Sequence, residues 1–346
     1  MKTTKSYILF IIILYIMALN NAIGQEKKTI SFKEELTIGK LEGDENYLIG
    51  TIADLKVDNK GDLYILDVTF KKVRKYSKKG IHIKDYGKGE GDGPGEFRFP
   101  RGMDIDRKGN VYITDMKKNT IIIYDKNGKF LTEYKLNYSP TFIVALSMSE
   151  VYVTHFYNTL NNKMIYKYDL TQKKDDMCIK EFGDPINVSQ DNKNILMRSG
   201  MGPILFKDNE YIYLSEFIPH IIRKYDNEGN LIKEYKKELS FIKYPSLAKT
   251  PNGHQFYKIN SGSLASFVVD NRFLFSLILN VIDNSIKQYY SVWDIKNDEF
   301  KGLFDEKDVN IKFNRYATGD SFGNIYMLGE GNGRVPLIFK YKLILK

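Results

Sequence analysis

Asp106-Arg-Lys-Gly-Asn-Val-Tyr112 is one of three near copies of a single phrase; the others are Asp58-Asn-Lys-Gly-Asp-Leu-Tyr64 and Asp320-Ser-Phe-Gly-Asn-Ile-Tyr326. Each is preceded by an apolar run and followed by more apolar residues. An Asp can cap its own turn, a Gly can take the positive φ that a tight turn needs, and β-branched or aromatic residues favour the strand that follows. The phrase therefore predicts strand, turn, strand. Recurrence at this scale marks one supersecondary unit used several times.

Working outward from Asp106, residues 99–136 divide into four short runs rich in β-branched and aromatic residues, with tight breaks at Arg107-Lys-Gly-Asn110 and Lys126-Asn-Gly-Lys129. Asn-Gly between apolar runs is the strongest short hairpin signal. Nothing between the runs has helical spacing. Four antiparallel strands per repeat make a propeller blade. Six units can be aligned on second-strand anchors Tyr64, Tyr112, Tyr152, Tyr213, Phe275 and Tyr326. Fourth strands are expected at 82–86, 130–136, 177–182, 231–235 and 300–304, but the sixth unit stops after its third. The alternating segment 29–38 is otherwise unpaired and is expected to supply that missing outer strand. The fold class is thus all-β: a six-bladed β-propeller of four-stranded antiparallel blades, its ring closed by the N-terminal strand.

Residues 1–24 are set apart from this pattern. Lys2 and Lys5 precede an apolar run at 7–19, and Ala22 and Gly24 offer a small-residue cleavage site, which reads as a secretory signal peptide. The domain organisation expected is a signal peptide, 1–24, and one propeller domain, 25–346. Cleavage leaves no membrane anchor, and no Cys stands where a bacterial lipid anchor would need one. Cys178 is the only Cys, so no internal disulfide can form. Export to the periplasm or cell exterior is expected. The formal charge of +9 comes from Lys scattered along strands and turns, which suits solubility and protected strand edges rather than nucleic acid. The chain is expected to be a monomer.

The stretch Gly89-Glu-Gly-Asp-Gly-Pro-Gly-Glu-Phe-Arg-Phe-Pro-Arg-Gly102, with the Asp106 phrase after it, resembles an NHL repeat. The whole chain resembles the exported six-bladed, TolB-like propellers common in Bacteroidetes. The resemblance implies the fold and says little of activity, since one fold hosts many functions. Alternate glycines at 87–95 invite a phosphate-loop reading, but Pro94 interrupts them and a strand follows instead of a helix. The Asp-x-x-Gly turns lack the alternating carboxylates of a calcium loop.

In a propeller the ligand-binding face is built from the loops joining second to third strands and from the crossovers between blades. The tight turns lie on the opposite face. The second-to-third loops supply Asp67, Asp115, His155, Tyr157, Glu216, His220, Glu330 and Arg334; the crossovers supply Arg98, Arg101, Arg198, Tyr257 and Arg315. The longest crossovers, 183–203 and 240–263, are expected to fold over the channel mouth. These loops suit a protein, peptide or glycan ligand, so a secreted binding module is the leading expectation. The alternative is a metal-dependent lyase or hydrolase, lactonase-like or NHL lyase-like. The resemblance implies a place for its ion in the channel, where His155, Glu216 and His220 would hold Ca or Zn. No two of them have a metal-site spacing, so no cofactor is expected. No nucleophile–base pair can be named either.

Overall fold

The computed structural model describes residues 30–155, 163–185, 203–244, 246–252, 255–258, 261–282, 285–309, 316–331 and 335–345; of 247, 255–258 and 309 it describes the backbone alone. The segment expected to be a signal peptide, 1–24, lies outside the described residues.

The first blade is the antiparallel sheet β2 (Ile52–Val57), β3 (Leu63–Asp67), β4 (Lys72–Tyr76), β5 (His82–Tyr86). The second is β6 (Pro100–Ile105), β7 (Val111–Asp115), β8 (Thr120–Tyr124), β9 (Phe130–Lys135), and the third β10 (Pro140–Ala145), β11 (Glu150–His155), β12 (Ile165–Asp169), β13 (Cys178–Phe182). The fourth is β14 (Ile204–Lys207), β15 (Ile212–Ser215), β16 (Ile221–Tyr225), β17 (Leu231–Lys236). A separate hairpin, β18 (Ser246–Lys249) with β19 (Gln255–Lys258), then precedes the fifth blade: β20 (Ser261–Val269), β21 (Phe273–Ile282), β22 (Ser285–Asp294), β23 (Glu299–Asp305). The sixth combines β24 (Ala317–Gly319), β25 (Asn324–Glu330) and β26 (Pro336–Leu345) with β1 (Ile30–Ile38), which lies outermost as the repeat demands. The expected loop at 240–263 is therefore corrected: it carries a hairpin and ends inside a strand. Residues 186–202 of the other long crossover are not described.

The repeated phrase works locally as its residues suggest. In Asp106-x-x-Gly109, one carboxylate oxygen accepts the N–H groups of Lys108 and Asn110 at 2.8 and 2.9 Å, while Gly109 sits at φ +87°. The second oxygen accepts the Tyr112 hydroxyl at 3.1 Å, and that hydroxyl also reaches the Ser147 carbonyl of the next blade at 3.0 Å. Tyr326 likewise reaches the Gly61 carbonyl across the closure of the ring. The phrase thus builds a turn and fastens one blade to the next.

The core lies between blades. Tyr112, Ile121 and Ile123 of the second blade pack on Ile143, Val151, Val153 and Tyr166 of the third; Tyr64, Leu66 and Val73 of the first pack on Met103, Ile113 and Ile122 of the second. Each large side chain so buried contributes about 1.5–3 kcal/mol. Neighbouring inner strands come very close at Gly102, where a Cβ would lie 2.4 Å from the Thr141 carbonyl oxygen and 2.8 Å from the Phe142 Cα. Both obstacles are backbone. Gly102→Ala is expected to lower stability by about 1–3 kcal/mol, measured as a shift in denaturant midpoint at unchanged m-value. An unchanged midpoint would mean the two strands are not held this close.

Candidate functional site

The six inner strands, β2, β6, β10, β14, β20 and β24, surround a channel whose loop-facing part is a cavity of about 180 Å³. Much of its lining is apolar: Phe142, Val144, Ile204, Leu205, Leu264 and Phe267. Set among these are Asp54 and Lys56 on β2, Arg101 and Asp104 on β6, and Lys207 on β14.

Four of these charges are satisfied within the channel. Asp54 meets Lys56 Nζ at 2.7 and 2.9 Å and also accepts the Met103 N–H of the next blade at 2.9 Å. Burial raises the Asp54 carboxyl above its ordinary range, and Lys56 and the backbone N–H groups pull against that rise. Lys207 spans the channel. Its ammonium reaches Asp104 at 2.6 Å, the Ala145 carbonyl at 2.6 Å and the Ile105 carbonyl at 3.0 Å, which uses all three of its protons. Beyond this bridge a second recess of about 150 Å³ opens on the tight-turn face, lined by Asp58, Asp106, Asp208 and Asp320, with Asp104 and Lys207 shared by both. The Lys207–Asp104 pair therefore partitions the channel.

Arg101 is different. It lies half-buried at the loop-facing end, with its guanidinium carbon 6.0 Å from the centroid of the Phe142 ring. Among the described residues it has no acidic partner. A cation held near an aromatic face keeps its edge donors free for a planar anion.

The remaining predicted residues do not gather at one point. His155 ends β11 and is buried in blade three, Nδ1–H donating to the Ser139 carbonyl at 3.2 Å and Nε2 accepting from the Tyr168 hydroxyl at 2.8 Å. Burial lowers its pKa to about 4, against the pull of the Ser139 and Tyr138 backbone. His220 reaches from blade four to Ser291 of blade five at 2.8 Å; burial lowers it too to about 4, and its Nδ1 has no hydrogen-bond partner. Glu216 is buried against Arg223, which also holds Glu234 and the Asp184 carbonyl. Among the described residues no three His, Cys, Asp or Glu side chains are grouped to hold a metal ion. The conditional trio His155, Glu216 and His220 forms no such group: His155 bonds within blade three, Glu216 pairs with Arg223, and His220 bonds Ser291 of blade five.

Arg98 pairs with Asp92 of its own crossover at 2.6 Å, an exposed pair of little energetic weight. Glu330 is exposed at the end of β25. Tyr157, Arg198, Arg315 and Arg334 lie outside the described residues, as does the side chain of Tyr257. Asp67 and Asp115 are structural. Asp67 accepts the N–H groups of Gly50 and Phe70; Asp115 accepts those of Arg98, Phe99, Lys117 and Lys118. His155 occupies the same register position opposite the start of its blade's inner strand and makes the equivalent tie with Ser139.

The sequence expectation includes Arg101 and leaves out the other channel charges, Asp54, Lys56, Asp104 and Lys207. Their signal was present: each is a charge inside the otherwise apolar innermost strand of its repeat, where solvent alone cannot account for it.

A family model described as a six-bladed β-propeller matches residues 13–301. Among solved structures, the chain is similar to a protein of Bacteroides fragilis named as exported, at 13% identity over 92% of this chain and 96% of that one, with a TM-score of 0.60. It is also similar to a DUF4221 member from Bacteroides vulgatus, at 10% identity over 93% and 100% of the two chains, with a TM-score of 0.59. A protein of unknown function from Bacteroides thetaiotaomicron shares 11% identity over 92% and 76%, with a TM-score of 0.53. At such identities the likeness is one of fold. No curated protein matches the sequence.

Proposed function

The chain belongs to the DUF5128 family of six-bladed β-propellers, and from that premise we propose that it is an exported binding module holding its ligand at the loop-bearing mouth of the channel. The observation that carries this reading is the character of that mouth. Arg101 stands there beside Phe142, Leu264 and Ile204, an apolar recess with a polar anchor, which is the composition of a binding pocket. The groups that could perform acid–base chemistry are committed elsewhere: Asp54 and Asp104 to ion pairs, His155 and Glu216 to blade structure. Export is supported by the signal-like segment 1–24, and among the described residues no helix is long and apolar enough to cross a membrane. Periplasm and cell exterior are both compatible destinations, and a protein, peptide or glycan is the expected partner.

The test is a thermal-shift screen of the mature chain against peptides, glycans and organic acids, repeated after chelation, with hits checked for chemical change. A binding module raises its melting temperature with ligand in a concentration-dependent way, returns that ligand intact and ignores the chelator. A chelator-sensitive melt together with conversion of a hit would replace this reading with a metal-dependent lyase or hydrolase.

A further inference from the structure

Resting on that reading, the geometry points to the ligand's chemical class: we infer that the mouth of the channel binds a monocarboxylate with an apolar tail, seated on Arg101. The charges lining the cavity pair off in order. Asp54 is held by Lys56 and Asp104 by Lys207, which leaves Arg101 as the cation without an acidic partner among the described residues. One unbalanced positive charge suits a monoanion; a phosphate ester would bring nearly twice the negative charge that the site offsets.

The form of the anchor narrows the choice further. A guanidinium presents donors in a planar fork that matches the two oxygens of a carboxylate. Phe142 lies on one side of Arg101, its ring centroid 6.0 Å from the guanidinium carbon, and leaves the edge of the fork open to an anion. Partial burial in a narrow recess also strengthens the attraction relative to open water. The walls include Phe142, Leu264 and Ile204, which favour an apolar tail, with Ser266 and Thr318 also in the lining. A volume of about 180 Å³ admits the end of a molecule rather than a whole oligosaccharide. Two sources share this chemistry, the C-terminal end of a peptide and a free aryl or alkyl acid.

Calorimetric titration of the mature chain at low ionic strength separates them. The probes are N-acetylphenylalanine, its neutral amide, and 3-phenylpropionate. The acids are expected to bind at least about 10-fold more tightly than the amide and to weaken as salt is raised. Preference for N-acetylphenylalanine marks the peptide end; preference for 3-phenylpropionate marks the free acid. Arg101→Gln is expected to reduce acid affinity by about 10- to 100-fold, and Arg101→Lys by less, since it keeps the charge and loses the fork. Melting of both variants checks that each folds. Equal affinity for acid and amide, no acid binding by the wild type, or acid binding unchanged in Arg101→Gln overturns the inference. A neutral peptide or glycan that still bound the wild-type mouth would then leave the binding module standing without its anion site.

Discussion

Deletion of residues 30–38 is expected to abolish cooperative unfolding. β1 pairs with β26 from Ile30 opposite Leu345 to Ile38 opposite Ile338, and it is the outermost strand of the last blade. Without it β26 becomes a ten-residue open edge, long and rich in apolar residues. Edges of that kind recruit other chains. The strand also buries Ile30, Phe32 and Ile38, and the Phe32 ring lies 5.8 Å from that of Phe275 in the fifth blade. At about 1.5–3 kcal/mol for each buried side chain, the loss approaches the whole stability of an ordinary domain before any lost strand pairing is counted. Circular dichroism melting of the truncated chain should show no sharp transition, and a hydrophobic dye should bind it strongly. A truncated chain that melted as the wild type does would show that the ring closes without this strand.

Acidification is expected to destabilise the protein through His155 and His220 between about pH 6.5 and 4. Both are buried and neutral, with pKa values lowered from 6.5 to about 4 by loss of solvent. In the unfolded chain each takes up a proton near its ordinary pKa; in the folded chain each resists until about pH 4. The unfolded state therefore binds more protons throughout that window, so stability falls as pH falls and the loss levels off below the folded pKa. No such contribution operates above pH 6.5. The loss is on the order of 3 kcal/mol for each residue. The groups around them offer little relief: His155 is ringed by Tyr138, Tyr166 and Tyr168, and His220 faces Ser291. Denaturant unfolding at pH 7, 5.5 and 4 should show the fall in the wild type. A double variant, His155→Gln with His220→Gln, should lose most of that slope, even if less stable at pH 7. An identical slope in the variant would assign acid sensitivity to the carboxylates instead.

The two histidines also mark where the sequence could be read and where it could not. The turns were legible because their partners are local: Asp58 caps Lys60 and Asp62, and Asp106 caps Lys108 and Asn110. The anchors, the outer strands and the closing strand followed from period and alternation. Asp67, Asp115 and His155 were readable as ends of second strands but not as structural ties, because their partners, such as Gly50 and Arg98, lie in the preceding crossover. The channel charges were hidden for a related reason. Both faces of an inner strand pack on neighbouring blades, as Ile143 does on the second and Val144 on the fourth, and its edge borders the axis, so alternation alone does not mark the side chains that reach the channel. Only the assembled ring brings Lys207 to Asp104, a residue two blades earlier.

The pairing of β1 with β26 has a kinetic consequence. The first strand of the ring to be synthesised has the last as its partner, with about 300 residues between them. Individual hairpins such as β7–β8 can form as they emerge, but the ring has no complete sixth blade until the final ten residues are available. Until then β1 is an unpaired strand with Ile30 and Phe32 exposed, ready to pair with any open edge, including that of another copy. The speed with which β26 reaches β1, as much as the final stability of the ring, therefore decides how much of the chain escapes pairing with the wrong edge.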